Sequence, residues 1–391
     1  MRAALMAIGV SVSLALAPPS RARTSPPLVS SRGAALQSGV ADGSLVICPT
    51  PGCNTPLKPT RLAVHLAKCP VLEEQRVLES TGYYFRGIHK GEEALDVLDQ
   101  SAPAGESTLL EERLRAAHAA ALSSRLVHAP PLDAAVAFAN ATLGSNARKR
   151  ESHRIQRAAI VEMLAGLGVL GHGHCIIEVG AGNGELSLAL AEQYPDELRA
   201  DAVILLDNTK KPKGRSGHGR LAADATLQET CAAFARVKMG VEDCSLGAMR
   251  DAIAPGRRIV VLAKHLCGRA SDYALRAIAA AADDPLGPPV AVVLGTCCHH
   301  RCDWQAYPAR DYLASLQCGD APADFVRLCR LSSSGVDATD DSPRADAGRR
   351  AKDILDEGRA SYLRTLGYEA SLRRYCDASV TPENVLVVAS R

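Results

Sequence analysis

Cys175-Ile-Ile-Glu-Val-Gly-Ala-Gly-Asn-Gly-Glu-Leu-Ser187 joins a short apolar run to a glycine cluster and then to the amphipathic start of a further segment, Leu186 to Leu190. Period and punctuation read as strand, tight turn, helix. Gly180, Gly182 and Gly184 let the chain turn sharply after the strand and let a ligand approach bare main chain, where a Cβ would collide. A nucleotide-like guest fits such a turn. The dinucleotide fingerprint would put its third glycine at 185, but Glu185 stands there, and Glu178 comes before the first glycine. Two carboxylates disfavour a pyrophosphate and suit a cationic ligand without phosphate. The competing reading is an ordinary glycine turn with no ligand.

Working outward, the 391-residue chain is 47% apolar, enough for one large domain with a packed core plus smaller modules. Forty-five basic residues against forty-three acidic ones leave a net charge of +2, so the field of the whole protein argues neither for nor against nucleic acid. Local patches must decide that. Thirteen cysteines, an odd number and several next to histidine, suit thiol and metal chemistry in a reducing compartment and predict a disulfide-free fold. Residues 1–44 open with an apolar run, Ala3 to Ala17, then a Pro-Pro and a Ser/Arg-rich stretch with no acidic residue before Asp42. That composition predicts a disordered leader or an organelle-targeting segment within residues 1–40, too short to span a membrane. The expected location is cytoplasm or nucleus, with organelle delivery as the alternative, and no stable membrane association or obligate protein partner is expected.

Residues 45–72 carry Cys48, Cys53, His65 and Cys69 in the spacing C-x4-C-x11-H-x3-C. His65 and Cys69 are one helical turn apart and a Pro-rich knuckle presents the other two, the arrangement a tetrahedral structural zinc requires. So short a segment buries no core of its own, and metal binding would supply its folding free energy. Residues 73–145 read as a helical connector, with Glu106 to His128 helical and Gly82-Tyr-Tyr-Phe85 expected to pack beneath the finger rather than stack on bases. The domain of residues 146–391 begins with a helix from Ala147 to Leu167.

After the glycine turn, Ala202-Val-Ile-Leu-Leu-Asp207 reads as a second strand that ends in a carboxylate where such folds hold the ribose hydroxyls of a nucleoside. Asp224 is a weaker candidate, near an adenine amino group. Between them Lys210, Lys211, Lys213, Arg215, His218 and Arg220 form a basic loop suited to a phosphate backbone, or a merely solvated one. Arg258 to Gly268 and Pro289 to Thr296 read as later strands, whose polar tips, Lys264-His265 and Cys297-Cys-His-His-Arg-Cys-Asp-Trp304, fall on the ligand-binding edge. Strand alternation sends Cys297 and Cys298 to opposite faces, so without a bend they do not chelate one ion, and the tip is expected to be metal-free, with Cys298 packing under the pocket. Residues 332–350 read as a mobile polar insertion. Asp353 to Leu366 reads as a helix, and two final strands, Glu369 to Tyr375 and Asn384 to Ala389, complete a seven-stranded, mostly parallel sheet.

Read together, the finger, the motif Glu178-x-Gly180-x-Gly182-x-Gly184, Lys264-His-Leu-Cys-Gly268, the 297–304 run, Gly358-Arg359 with Tyr362-Leu363, and Glu383-Asn-Val-Leu386 resemble the eukaryotic tRNA 2′-O-methyltransferases that modify nucleotide 4 of the acceptor stem. The resemblance runs from Cys48 to Ala389. It implies a Rossmann-like class I methyltransferase, an S-adenosylmethionine donor at the glycine turn, zinc in the finger and tRNA as acceptor. It also implies a base, His265 or His300, to take the 2′-OH proton, with Lys264 holding the hydroxyl or a phosphate and Arg301 a phosphate. Two departures stand out. The family usually opens with a further CCCH finger, not found here, and has His where this chain has Cys53, a replacement that keeps metal affinity. At 4% the aromatic content suits reading an A-form stem by shape. Methyl transfer to another RNA or to a protein, and a non-catalytic RNA-binding finger protein, are the alternatives.

Overall fold

The computed structural model describes residues 45–50, 53–90, 107–121, 126–128, 145–208, 215–319 and 321–391. The leader and three lysines of the basic stretch, Lys210, Lys211 and Lys213, lie outside them. Two units divide the chain between Thr81 and Gly82. In the smaller, β1 (Val46–Ile47) pairs antiparallel with β2 (Pro56–Leu57), followed by α1 (Leu62–Leu66) and α2 (Pro70–Glu79). Its core is Cys48, Cys53 and Cys69, with Leu57, Leu66, Val71 and Leu72 against them. His65 and Cys69 do not share a helix as the spacing predicts. Cys69 is the extended N-cap of α2, at φ −65° and ψ 116°, because Pro70 opens that helix and excludes the residue before it from helical backbone.

In the larger unit the order is α3 (Ser107–Ala121), β3 (Leu126–His128), α4 (Ser145–Ala165), β4 (Cys175–Val179), α5 (Glu185–Gln193), β5 (Ala202–Leu206), α6 (Arg215–Thr230), β6 (Ala233–Val237), α7 (Leu246–Ile253), β7 (Ile259–Cys267), α8 (Arg269–Ala280), β8 (Ala291–Cys297), α9 (Arg310–Ser315), α10 (Pro322–Ser332), α11 (Pro343–Thr365), β9 (Glu369–Arg374) and β10 (Val385–Ser390). The sheet runs β3-β9-β10-β8-β7-β4-β5-β6, with β10 antiparallel to both of its neighbours and every other pair parallel. Every residue of β4, β5 and β8 is buried, as strands covered by helices on both faces must be. Chain order steps outward one way from β4 to β6 and the other way from β7 to β8. The switch point therefore lies between β4 and β7, where open α/β sheets bind ligands.

Six of these strands fall where the sequence places them, β6 supplies the seventh that the expected sheet requires, and β3 is an eighth. The presumed connector thus gives the larger unit an edge strand, parallel to β9, and a helix, α3, whose His118 Nε2 lies 3.0 Å from Asp353 Oδ2 of α11. The presumed mobile insertion also folds: Ser342 caps α11, its hydroxyl accepting from Ala345 N at 3.1 Å, and Ala345, Ala347 and Ala351 are buried. Small residues that look like spacer on paper let α11 pack closely. Residues 83–85 pair their main chain with residues 243–245 of the larger unit, Phe85 N donating to Asp243 O at 2.8 Å and Ser245 N to Tyr83 O at 3.1 Å. All thirteen cysteines carry free thiols. Among the described residues no helix is long and apolar enough to cross a membrane.

One irregularity positions the site. Between β7 and β8 the partners run Ala263↔Leu294 and then Leu266↔Thr296, so β7 carries one residue more than its neighbour there. The extra residue is a bulge spanning Lys264 and His265, the kind of defect that re-aims side chains beside active sites. Gly295 faces it, and a Cβ at that position would stand 2.1 Å from Lys264 O.

Candidate active site

β4 delivers the chain into the glycine turn, where Gly180 N donates to Leu206 O at 2.8 Å and Gly184 N to Ala181 O at 2.7 Å. The glycines are not equivalent. A Cβ on Gly184 would come within 2.7 Å of Leu205 Cδ1 and 2.8 Å of Arg236 Nη2, whereas one on Gly182 would meet nothing within 4 Å. Gly184 therefore serves packing, and Gly182 borders the open space a ligand would use. Asp207, just past β5, accepts from Gly182 N through Oδ2 at 2.8 Å and so ties the second strand to the turn. Glu178 lies buried behind it, its Oε2 accepting from Ser187 N at 3.0 Å and from Ser187 Oγ at 2.5 Å. Burial pushes this carboxyl up to about 7, although the serine bonds act against that rise.

Arg236 on β6 was not singled out from the sequence. It donates to Gly182 O at 2.8 Å and Asn183 O at 3.1 Å, and its Nε and Nη2 hold Asp224 at 2.5 to 3.0 Å. Both oxygens of Asp224 thus receive Arg236, which places Asp224 behind the turn as a brace for the arginine. The signal was available: an arginine within a buried strand needs a carboxylate partner.

Across the switch point, the bulge of β7 brings Lys264 Nζ to 2.8 Å from His153 Nδ1, with the His265 ring edge-on to His153 at 6.1 Å between centroids. His153 comes from α4, which also supplies Arg157, ion-paired with Glu185 at 2.5 Å. Burial, and then Arg157, lowers the Lys264 ammonium to about 8; burial, Lys264 and His153 lower His265 to about 4. At neutral pH, then, His265 is uncharged, while Lys264 is still mostly ammonium and loses its proton just above neutrality. His153 escapes sequence reading because nothing local tells that the helix before β4 returns over the tip of β7.

At the tip of β8 the buried histidine is His299, while His300 and Arg301 are exposed. His299 Nε2 bonds Asp356 Oδ2 at 2.9 Å, and Thr296 Oγ1 and Arg359 Nη1 donate to the same carboxylate at 2.8 and 2.7 Å. Arg359 is shared with buried Asp272, at 2.9 Å. Burial opposes ionisation of Asp356, yet His299 and Arg359 hold it well below the usual carboxylate range. His299 Nδ1 has no hydrogen-bond partner among the described residues and faces Glu383 Oε2 at 4.0 Å. It borders a cavity of about 260 Å³ lined also by Thr296, Lys352, Arg374, Glu383 and Asn384. The basic stretch continues as the start of α6, so Arg215 and Arg220 lie on helix, not loop.

Two sets of soft ligands stand together. In the small unit, ligand atoms of Cys48, Cys53, His65 and Cys69 lie within 4.8 Å of one another. In the large unit Cys267, Cys297 and Cys298 do the same. Cys298 adopts φ 51° and ψ 44°, the bend without which strand alternation would keep it from sharing an ion with Cys297, and its sulfur lies with those of Cys267 and Cys297.

A family model described as "Methyltransferase TRM13" matches residues 155–345 and 339–390. Among curated proteins, "tRNA:m(4)X modification enzyme TRM13" of Eremothecium gossypii is 27% identical over 395 residues, covering 88% of this chain and 86% of its own length. The human protein named as its homolog is 24% identical over 443 residues, with 88% and 86% covered, and the Schizosaccharomyces pombe enzyme is 27% identical over 273 residues, with 64% and 70% covered.

Proposed function

From the premise that the chain belongs to the TRM13 methyltransferase family, we propose that it methylates tRNA, transferring the methyl group of S-adenosylmethionine to the ribose 2′-OH of nucleotide 4 in the acceptor stem. The curated relatives bear the name of a tRNA modification enzyme, and the chain spans most of their length. The observation that carries the reading is the placement of Lys264 on β7, paired with His153 of α4, beside the glycine turn of β4 and across the switch point from it. The donor supplies a methyl group on a positive sulfur, ready to leave. Gly182 gives it room, and Asp207 fixes the turn beneath its ribose.

A ribose hydroxyl is a weak nucleophile, so alignment and removal of its proton are the protein's tasks. As the 2′ oxygen bonds to the methyl carbon, the carbon–sulfur bond breaks and the hydroxyl proton passes to the Lys264 amine, whose pKa near 8 suits that transfer better than that of His265. His265 and His153 confine the amine. Arg301, exposed on the β8 turn, and the basic run from Lys210 to Arg220 are the assigned phosphate contacts. The finger residues fit one zinc: four soft ligands converge, and the apolar side chains packed against the three cysteines, Leu57, Leu66, Val71 and Leu72, are only partly buried.

Incubating the full chain with labelled donor and total tRNA, then mapping ribose methylation, tests the reading. A single 2′-O-methyl mark at nucleotide 4 is expected. Label in protein, in bases or at another ribose would replace it.

A further inference from the structure

The geometry points to a second metal site, formed by Cys267, Cys297 and Cys298, that takes a thiophilic divalent ion of the zinc class at the tips of β7 and β8. Beyond the bulge the ladder resumes, and Cys267 and Cys297 are direct partners across it. Paired residues on neighbouring strands project to one face, which brings their sulfurs to 3.0 Å. The third thiol would point away if β8 continued as strand. Instead Cys298 takes left-handed backbone, a conformation that a non-glycine residue rarely adopts, and its Sγ joins the other two within 4.8 Å. Gly268 N donates to Cys297 O at 2.9 Å and closes the two tips on each other.

Three converging thiols with no carboxylate among them select a soft ion over magnesium or calcium. Cys297 is 7% exposed and Cys267 is open to solvent, so an ion has a path in, and the fourth position is left to water. Three thiolates outweigh a divalent charge, which makes the bound ion a poor Lewis acid. Its work is mechanical: it pins the strand end that carries Lys264 and His265 to the end of β8.

Elemental analysis of the full chain, purified without chelator, should find two zinc ions, one in the finger and one at the tip. Cys267→Ser and Cys298→Ser should each leave one, Cys69→Ala should leave one, and Cys69→Ala with Cys267→Ser should leave none. Since a tip substitution could disturb folding, cobalt titrated into Cys69→Ala, whose tip is native, provides a second reading. One equivalent with thiolate-to-cobalt charge-transfer absorption is expected. No such absorption, or a wild-type zinc count of one that Cys267→Ser leaves unchanged, overturns the site. So does alkylation of the denatured, unreduced chain at eleven cysteines rather than thirteen, which would make the cluster a disulfide.

Discussion

Two side chains separate binding from chemistry. Asp207 accepts from the Gly182 amide, and its removal should weaken donor affinity tenfold to a hundredfold, since a hydrogen bond to a charged group contributes roughly 1.5–3 kcal/mol; calorimetry with Asp207→Ala measures this. Lys264→Met should leave that affinity alone and slow methyl transfer by about 10² to 10⁴-fold. The pH profile carries the sign. Lys264 holds its proton below about 8 and can accept one above it, so single-turnover rates should climb with pH to about 8 and then level. A wild-type profile that is flat from pH 6 to 9 would remove Lys264 from the role. Both residues directly follow buried apolar runs and are legible in the sequence for that reason. The partner of Lys264, His153, is not, because it reaches the site from a helix 111 residues away in the chain.

The strand–turn–helix unit is where the sequence speaks most plainly, and its glycines make a sharp test. Gly184→Ala should cost about 2–5 kcal/mol, the sum of overpacking against Leu205 and left-handed backbone, while Gly182→Ala should cost only the backbone part, about 1–2 kcal/mol. The ranking inverts for the donor: the Gly182 variant should lose more affinity than stability. Urea unfolding beside calorimetry reads both quantities, and equal stability losses would dissolve the distinction. Elements without a periodic signature were misread instead. β3 is three residues long, too short for alternation to declare itself, and its pairing with β9 is set by tertiary contact. The start of α11 is alanine, glycine and charge, a composition shared by loops and by closely packed helices.

On the scale of the molecule, the two units should respond differently to chelation. The finger, whose buried core is three cysteines, should unfold when zinc is removed, whereas a sheet of eight strands should persist. Limited proteolysis after chelation should add cuts within residues 45–81 and leave β4 to β10 whole, with donor binding retained in the surviving fragment; cleavage across the sheet would show that the units fold as one. The parallel α/β class and the ligand-bearing tips were readable from strand patterning, whereas the order of the strands, and with it the switch point, is set by tertiary pairing. The bulge in β7 carries a last consequence. Up to Ala263 an even-numbered and an odd-numbered residue have fixed faces; beyond it the parity is inverted. The core and the tip are therefore written in two phases, and deleting a single residue at the junction would run the ladder straight through, leaving Leu266 and Cys267 on their present faces while abolishing the bulge that re-aims Lys264 and His265.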